Sequence, residues 1–299
     1  MRCVGLQNCQ RANLKASLHT SDRIRGVAYL DDDVGKIYII CENSNAIDVF
    51  HAIPPYEQLR GINISRLVDP TDIVACDTNM LLYVSDHTAG CVWQVTTGGK
   101  VDFRLPTSWS PARQKTSAVY PVSLSVRFGR LVVVETSKVL IYDSHDDKLD
   151  EINKFPVSAT LYHGVETDHN TFLVALSDKN HSTVQEMEKD GKGKWSSVRE
   201  WQLRSSNTSA QPLYMAWDAF DSLYVVIHDS SKVLVLDKAL NEIRSVRLNK
   251  RSVPTRLCLL TQRVRRKVFL LAGAGLGVNI YDGTTSALEN AKIRRHVTV

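Results

Sequence analysis

The feature that most constrains this chain is a phrase of two short β-runs around a polar turn, written six times. Its cleanest copy is Leu82-Tyr83-Val84-Ser85-Asp86-His87-Thr88-Ala89-Gly90-Cys91-Val92-Trp93-Gln94-Val95. An apolar run, a turn closed by glycine and a second alternating run together read as a β-hairpin. The second residues of the six leading runs are Tyr38, Tyr83, Val132, Leu173, Tyr224 and Phe269, at successive spacings of 45, 49, 41, 51 and 45 residues. A period of about 40–50 residues with several short strands per repeat predicts a β-propeller with one repeat per blade. The expected fold class is therefore all-β, a six-bladed propeller of four-stranded antiparallel blades.

A strand preceding the phrase is predicted over 24–29, 72–76, 121–126, 213–217 and 256–260, with none assigned in blade four. Blade four also has the loosest second partner, 183–187. A polar strand follows each pair, as at 100–105 and 242–248. Its alternating charges suit an outer edge, where they discourage pairing with other molecules. A propeller must also close its ring. The run 14–18 is expected to complete blade six, in preference to 292–297.

The spelling Asp-x-x-x-Gly-x-Val-x-x-Val after a strand, read at Asp86, Gly90, Val92 and Val95, resembles the blade of NHL-type six-bladed propellers. These occur at the C-terminal end of many tripartite-motif proteins. Blade six departs from the pattern with Ala272-Gly273-Ala274-Gly275 in place of the acidic turn. The resemblance implies a recognition domain, associated with ubiquitin ligases or post-transcriptional regulators.

With 299 residues and 43% apolar content, no composition break and no Pro- or Ser-rich linker, one propeller over 14–299 is expected after a disordered N-terminal tail of 1–13. The most apolar segment, 268–281, is broken by glycines and falls short of the about 20 residues that span a bilayer. Six cysteines form no CxxC pair, and Cys41, Cys76, Cys91 and Cys258 fall in predicted strands. Buried free thiols point to a reducing, cytoplasmic setting. The sequons at Asn63, Asn180 and Asn207 weigh little beside an N-terminus without an apolar signal region.

The chemistry-bearing motifs are missing: there is no GxSxG elbow, HExxH, P-loop or DxDxDG loop, and the nine histidines are scattered. The run of glycines at 273–277 precedes a strand where a dinucleotide site requires a helix. No catalytic residue, metal ligand or cofactor is assigned. The turns after the second strands are expected to converge at the channel mouth. They carry Glu42 and Asn45, Asp86 and His87, Glu135 and Lys138, Asp178, Lys179 and His181, then His228, Asp229 and Lys232. Either their acids accept hydrogen bonds from turn amides, or they ligate a cation. The second option is the alternative function, a metal-dependent hydrolase or lactonase of the six-bladed kind.

Net charge is +5, yet residues 240–299 alone carry +9, leaving −4 on the rest. The densest cluster, Arg263, Arg265, Arg266 and Lys267 with Lys250 and Arg251, is a candidate site for phosphate or an acidic partner. The predicted function is a non-enzymatic, monomeric interaction platform. Protein is the first expected partner and RNA the second, because few aromatics interleave with the basic cluster.

Overall fold

The computed structural model describes residues 9–11, 13–31, 35–98, 101–106, 120–143, 149–152, 159–167, 171–178, 181–203, 212–218, 221–227, 230–248, 254–262 and 267–282. Two short strands come first, β1 (Cys9–Arg11) and β2 (Asn13–His19). Blade one is β3 (Ile24–Leu30), β4 (Lys36–Cys41), β5 (Ala46–His51) and β6 (Gln58–Asn63). Blade two is β7 (Pro70–Cys76), β8 (Leu81–Asp86), β9 (Cys91–Thr96) and β10 (Val101–Pro106). Blade three is β11 (Pro121–Arg127), β12 (Arg130–Glu135), β13 (Val139–Asp143) and β14 (Leu149–Ile152). Blade four is β15 (Thr160–Glu166), β16 (Phe172–Ser177), β17 (Ser182–Lys189) and β18 (Trp195–Gln202). Blade five is β19 (Pro212–Trp217), β20 (Ser222–Ile227), β21 (Lys232–Asp237) and β22 (Glu242–Arg247). Blade six is β23 (Arg256–Gln262), β24 (Lys267–Ala274) and β25 (Gly277–Asp282), completed by β2.

Among the described residues these strands make six sheets, and the all-β six-bladed propeller read from the repeat is the fold. The first strand of each blade touches the first strand of the next, and β23 meets β3, so the inner strands close a ring. The apolar periodicity explains what holds the ring. On β4, Ile37, Ile39 and Cys41 pack against Leu271 and Val278 of blade six, while Tyr38 and Ile40 pack against Ile73 and Val84 of blade two. Second strands are thus buried on both faces, which is why they read as near-continuous apolar runs. Six such clusters, one per blade interface, form the core of the described residues. Each fully buried Ile or Leu in them contributes about 1.5–3 kcal/mol. The outer strand β18 is largely exposed and β22 is exposed over half its length, as their charges require.

Closure uses the N-terminal strand. β2 runs antiparallel to β25, from Asn13 opposite Asp282 to His19 opposite Gly277, and Leu18 is buried against Val278 and Ile280. The alternative closing segment, 292–297, lies outside the described residues. Within the expected tail of 1–13, Cys9–Arg11 adds a parallel fifth strand to blade five beside β22.

Blade four is more regular than its sequence suggests. The loosely spelled partner over 183–187 is the eight-residue β17, and the unassigned inner strand is β15. His163 and Gly164 interrupt the apolar pattern of β15 because both face neighbours inside the ring. His163 reaches Leu124 of blade three, and a Cβ on Gly164 would lie 3.1 Å from Val134. Cys41, Cys76 and Cys91 are buried free thiols and Cys258 is half-buried. No helix among the described residues is long and apolar enough to cross a membrane.

Candidate recognition site in the central channel

The inner strands share a local irregularity that builds the site. In blades one to five the pairing of first and second strands slips by one residue near its start. The residue following the slip is Gly26, Asp72, Ser123, His163 or Tyr214. Such bulges re-aim the side chain that follows them. Here four of the five carry polar side chains into a packed ring where blade six contributes Arg256.

These side chains tie five blades together. Asp72 Oδ2 accepts the N–H of Leu124 at 2.8 Å and Oδ1 accepts that of Ile73 at 2.9 Å. The Tyr214 hydroxyl lies 3.4 Å from both Asp72 Oδ1 and the Leu124 carbonyl. His163 Nε2 is 3.1 Å from the same carbonyl, and its ring packs on Tyr214, tilted by 44° with centroids 3.8 Å apart. Arg256 donates to the carbonyl of Thr71 at 2.9 Å and sets Nε 3.8 Å from Asp72 Oδ1, an ion pair longer than a hydrogen bond. Burial pushes the Asp72 carboxyl up to about 6, against the pull of Arg256 and the amides. Burial also holds His163 down to about 3. The imidazole is therefore neutral, and because a carbonyl only accepts, Nε2 carries the hydrogen.

Leu124, His163 and Tyr214 of this cluster form the floor of a cavity of about 550 Å³ that runs from the middle of the inner strands to their C-terminal ends. The walls are aliphatic, with Val27, Val74, Val126, Val165, Met215 and Leu257 among them. The mouth lies at the turns between first and second strands and carries Asp31, Asp77, Glu166 and Asp218. It is also aromatic. Arg127 lies over the rings of Phe128 and Trp217, 4.8 and 5.3 Å from their centroids. Phe128, 62% exposed, sits at φ 53° beside Gly129 at φ 73°. Left-handed backbone disfavours a bulky residue by roughly 1–2 kcal/mol.

The turns after the second strands lie at the other end of the channel, since Asp86 pairs with Pro70, the first residue of β7. None of their described residues lines the cavity. Glu42 pairs with Arg25. Asn45 is exposed and its carbonyl accepts the N–H of Ile64 at 2.8 Å. Asp86, fully buried, accepts the amides of Val68, Asp69 and Ala89 and the indole N–H of Trp93 at 3.0–3.2 Å. His87 packs on Tyr120. Glu135 lies 3.4 Å from Lys138. Asp178 accepts the His181 amide at 2.7 Å. The Lys232 amide donates to Ser230. At Asp86 and Asp178, of the two arrangements open to these acids, the one with turn amides is present. No group of three or more His, Cys, Asp or Glu among the described residues is placed to hold a metal ion. Lys179, His228 and Asp229 lie outside the described residues, as do Lys250, Arg251, Arg263, Arg265, Arg266 and the side chain of Lys267. Lys267 opens β24, and Arg263, Arg265 and Arg266 fall between β23 and β24 in sequence.

The floor residues were not singled out in the sequence. One signal could have found them: superposing the six repeats on their first strands, and not on the hairpins, places Asp72, Ser123, His163 and Tyr214 in one column.

No family model matches the chain, and no curated protein matches it in sequence. Its structure resembles the WD40 β-propeller domain of Doa1, with a TM-score of 0.62 and 12% identity over 92% of this chain and 98% of that one. It also resembles virginiamycin B lyase from Staphylococcus aureus, with a TM-score of 0.58 and 12% identity over 93% and 91% of the two chains. A third likeness is to the Cps50 (Swd1) β-propeller domain of Myceliophteria thermophila, at TM-score 0.59 and 10% identity over 87% and 84%. At these identities the likeness shows the propeller fold alone.

Proposed function

We propose that the chain is an NHL-type, non-enzymatic recognition propeller that binds a protein partner on the face where the cavity opens. The observation that carries this reading is Phe128. A large aromatic side chain is held exposed, in a conformation that opposes it, beside an arginine and a tryptophan at the rim of a cavity. Strained residues of this kind concentrate at functional sites, and aromatic and arginine side chains dominate the energetics of protein interfaces. The buried cluster behind the floor favours binding over catalysis, because Asp72 does not line the cavity and spends both oxygens on structural hydrogen bonds and ion pairing. The WD40 domain among the structural likenesses is compatible with this reading, and so is the Asp-x-x-x-Gly phrase.

The test is affinity capture from cell extract with the wild-type chain and with Phe128→Asn, which keeps the turn and removes the ring. A partner retained by the first and lost by the second supports the reading. Capture indifferent to the substitution removes it. The excess positive charge of residues 240–299 favours RNA as a second partner class. Anisotropy with a random single-stranded RNA pool tests it: binding that weakens with salt, and falls when Arg263, Arg265, Arg266 and Lys267 become Ala, would establish a phosphate contact.

A further inference from the structure

We propose that the cavity takes an extended, uncharged chain end of the protein partner, whose main chain pairs with the free edge of β11 at Val126. This deepens the reading above and rests on it. In every sheet the first strand of the blade is a terminal one, bonded on one side alone to the second strand. Its other edge faces the channel. The lining of the cavity has the pattern of strands seen edge-on. It takes consecutive residues, 73–78 from β7 and the turn after it and 124–129 from β11 and its turn, where a strand lying face-on would supply alternate ones.

In an antiparallel pair, residues alternate between turning both N–H and C=O to the partner strand and turning both away. Leu124 turns away from β12, because its N–H goes to Asp72 and its carbonyl to His163 and Tyr214. Val126, two residues on, therefore turns away as well. By the same alternation Ile73, whose N–H meets Asp72 Oδ1, sets Ala75 toward the channel. Asp218 bonds its N–H to Ser222 across the blade, so Trp217 before it faces inward. Other inward groups are taken by side chains. Ser125 donates to the carbonyl of Gly164 at 2.7 Å and Arg127 to that of Glu166 at 3.2 Å. Among the described residues no side chain takes the backbone N–H or C=O of Ala75, Val126 or Trp217.

Backbone groups need partners, and a peptide main chain carries donors and acceptors at the spacing of the strand it joins. A residue placed opposite Val126 exchanges both bonds with it. The aliphatic walls admit small apolar side chains, and Asp72 and Arg256 do not line the cavity, so a charge carried to the floor would be buried without a counter-charge. Because Leu124, His163 and Tyr214 close the floor, the chain enters by an end. From Leu124 to Phe128, four steps of about 3.3 Å give a depth of about 13 Å, room for about four residues. An added strand then passes Phe128, two residues beyond Val126 on the same edge.

The experiment is an NMR titration of the isotope-labelled full chain with the capped peptide acetyl-Val-Ala-Val-Ala-amide, and with the same peptide methylated on all four of its residue nitrogens. Methylation keeps the side chains and carbonyls and removes those donors. The unmethylated peptide is expected to shift the amides of Ala75, Val126 and Phe128 at low-millimolar concentration. The methylated one should bind at least about tenfold more weakly, as expected for the loss of two hydrogen bonds. Val126→Pro removes one inward N–H, a change that a strand edge outside the ladder tolerates, and should weaken binding about fivefold. Val198→Ala, on the outer strand of blade four, should leave it unchanged. Amides of blade five that stay in place check the fold of the proline variant; where they move, the methylated peptide alone decides. Equal binding of the methylated peptide would show a pocket for side chains only, and would overturn the inference, as would no shift with the unmethylated peptide or undiminished binding to a folded Val126→Pro. If Phe128→Asn still abolishes partner capture in that case, the protein-binding reading stands and the edge site alone is lost. If the peptide binds as described but partner capture ignores Phe128, the edge site stands and the wider reading falls.

Discussion

Asp72 on blade two accepts the backbone N–H of Leu124 on blade three at 2.8 Å, and on the other side of that peptide backbone His163 donates to the carbonyl of the same leucine. One residue thus joins an acid and a base from the blades on either side of it. Their ionisations pull stability in opposite directions. Asp72 titrates at about 6 in the fold and about 3.8 when unfolded, so between those values the folded state holds a proton that the unfolded state has lost. Its contribution to stability falls as pH rises from about 4 to 6. His163 titrates at about 3 in the fold against about 6.5 unfolded. The unfolded state takes up the proton first, so this contribution rises with pH over the same window. In the wild type the two offset one another. His163→Phe keeps an aromatic ring against Tyr214 and is expected to tilt the stability profile downward toward pH 6, relative to wild type. Asp72→Asn should tilt it upward. Each slope is at most about 1.4 kcal/mol per pH unit. Urea unfolding between pH 4 and 7 measures both, and tilts of the same sign would sink the account.

The repeat spacing made the fold legible because it follows from the core: two-faced burial forces an apolar run into every second strand, whatever its neighbours do. The site was less legible for the complementary reason. Asp72, His163, Tyr214 and Arg256 are single polar residues in inner strands, and each acquires meaning only through a partner 39 to 185 residues away. The acids that stood out, such as Asp86 and Glu135, end strands whose turns point to the other end of the channel. Hairpin spelling shows a turn acid clearly, but it does not say which end of the ring has the open cavity. Blade four shows both effects, since the residue that blurs its inner strand, His163, is the one on the cavity floor.

Phe128→Asn should raise stability while lowering partner binding. Asn-Gly is the preferred pair for a two-residue turn with both residues left-handed, and the native pair, Phe128 at φ 53° and Gly129 at φ 73°, has that geometry. The gain expected is about 1 kcal/mol, read from the urea midpoint. A loss of stability would mean that Phe128 is packed, not displayed, and would remove the argument from strain.

Asp86 anchors blade two, and its bonds differ in how much their loss exposes. Trp93→Phe removes one indole donor at 3.2 Å and leaves three backbone amides on the carboxylate, so about 1 kcal/mol should be lost. Asp86→Ala orphans those amides as well as the indole, and several kcal/mol should follow. Equilibrium unfolding of the two variants gives the ratio. Similar losses would show that the amides find other acceptors.

Two glycines test how tightly the ring is drawn at the channel. A Cβ on Gly26 would lie 2.7 Å from the backbone nitrogen of Ile73 on the next blade and 3.1 Å from Ile40. Backbone cannot rotate away as a side-chain tip can, so Gly26→Ala must push blade one from blade two, at a cost of about 1–3 kcal/mol. A Cβ on Gly191, at the outer hairpin of blade four, meets nothing within 4 Å. Gly191→Ala should change stability by no more than about 0.5 kcal/mol. Because Gly26 is followed in the ring by Asp72, the displacement should also lengthen the contacts of the floor, and amide hydrogen exchange at Leu124 should quicken in Gly26→Ala but not in Gly191→Ala. A destabilised Gly26→Ala whose Leu124 amide stays protected would mean that the blades yield locally and that the polar cluster is held by the other five blades alone.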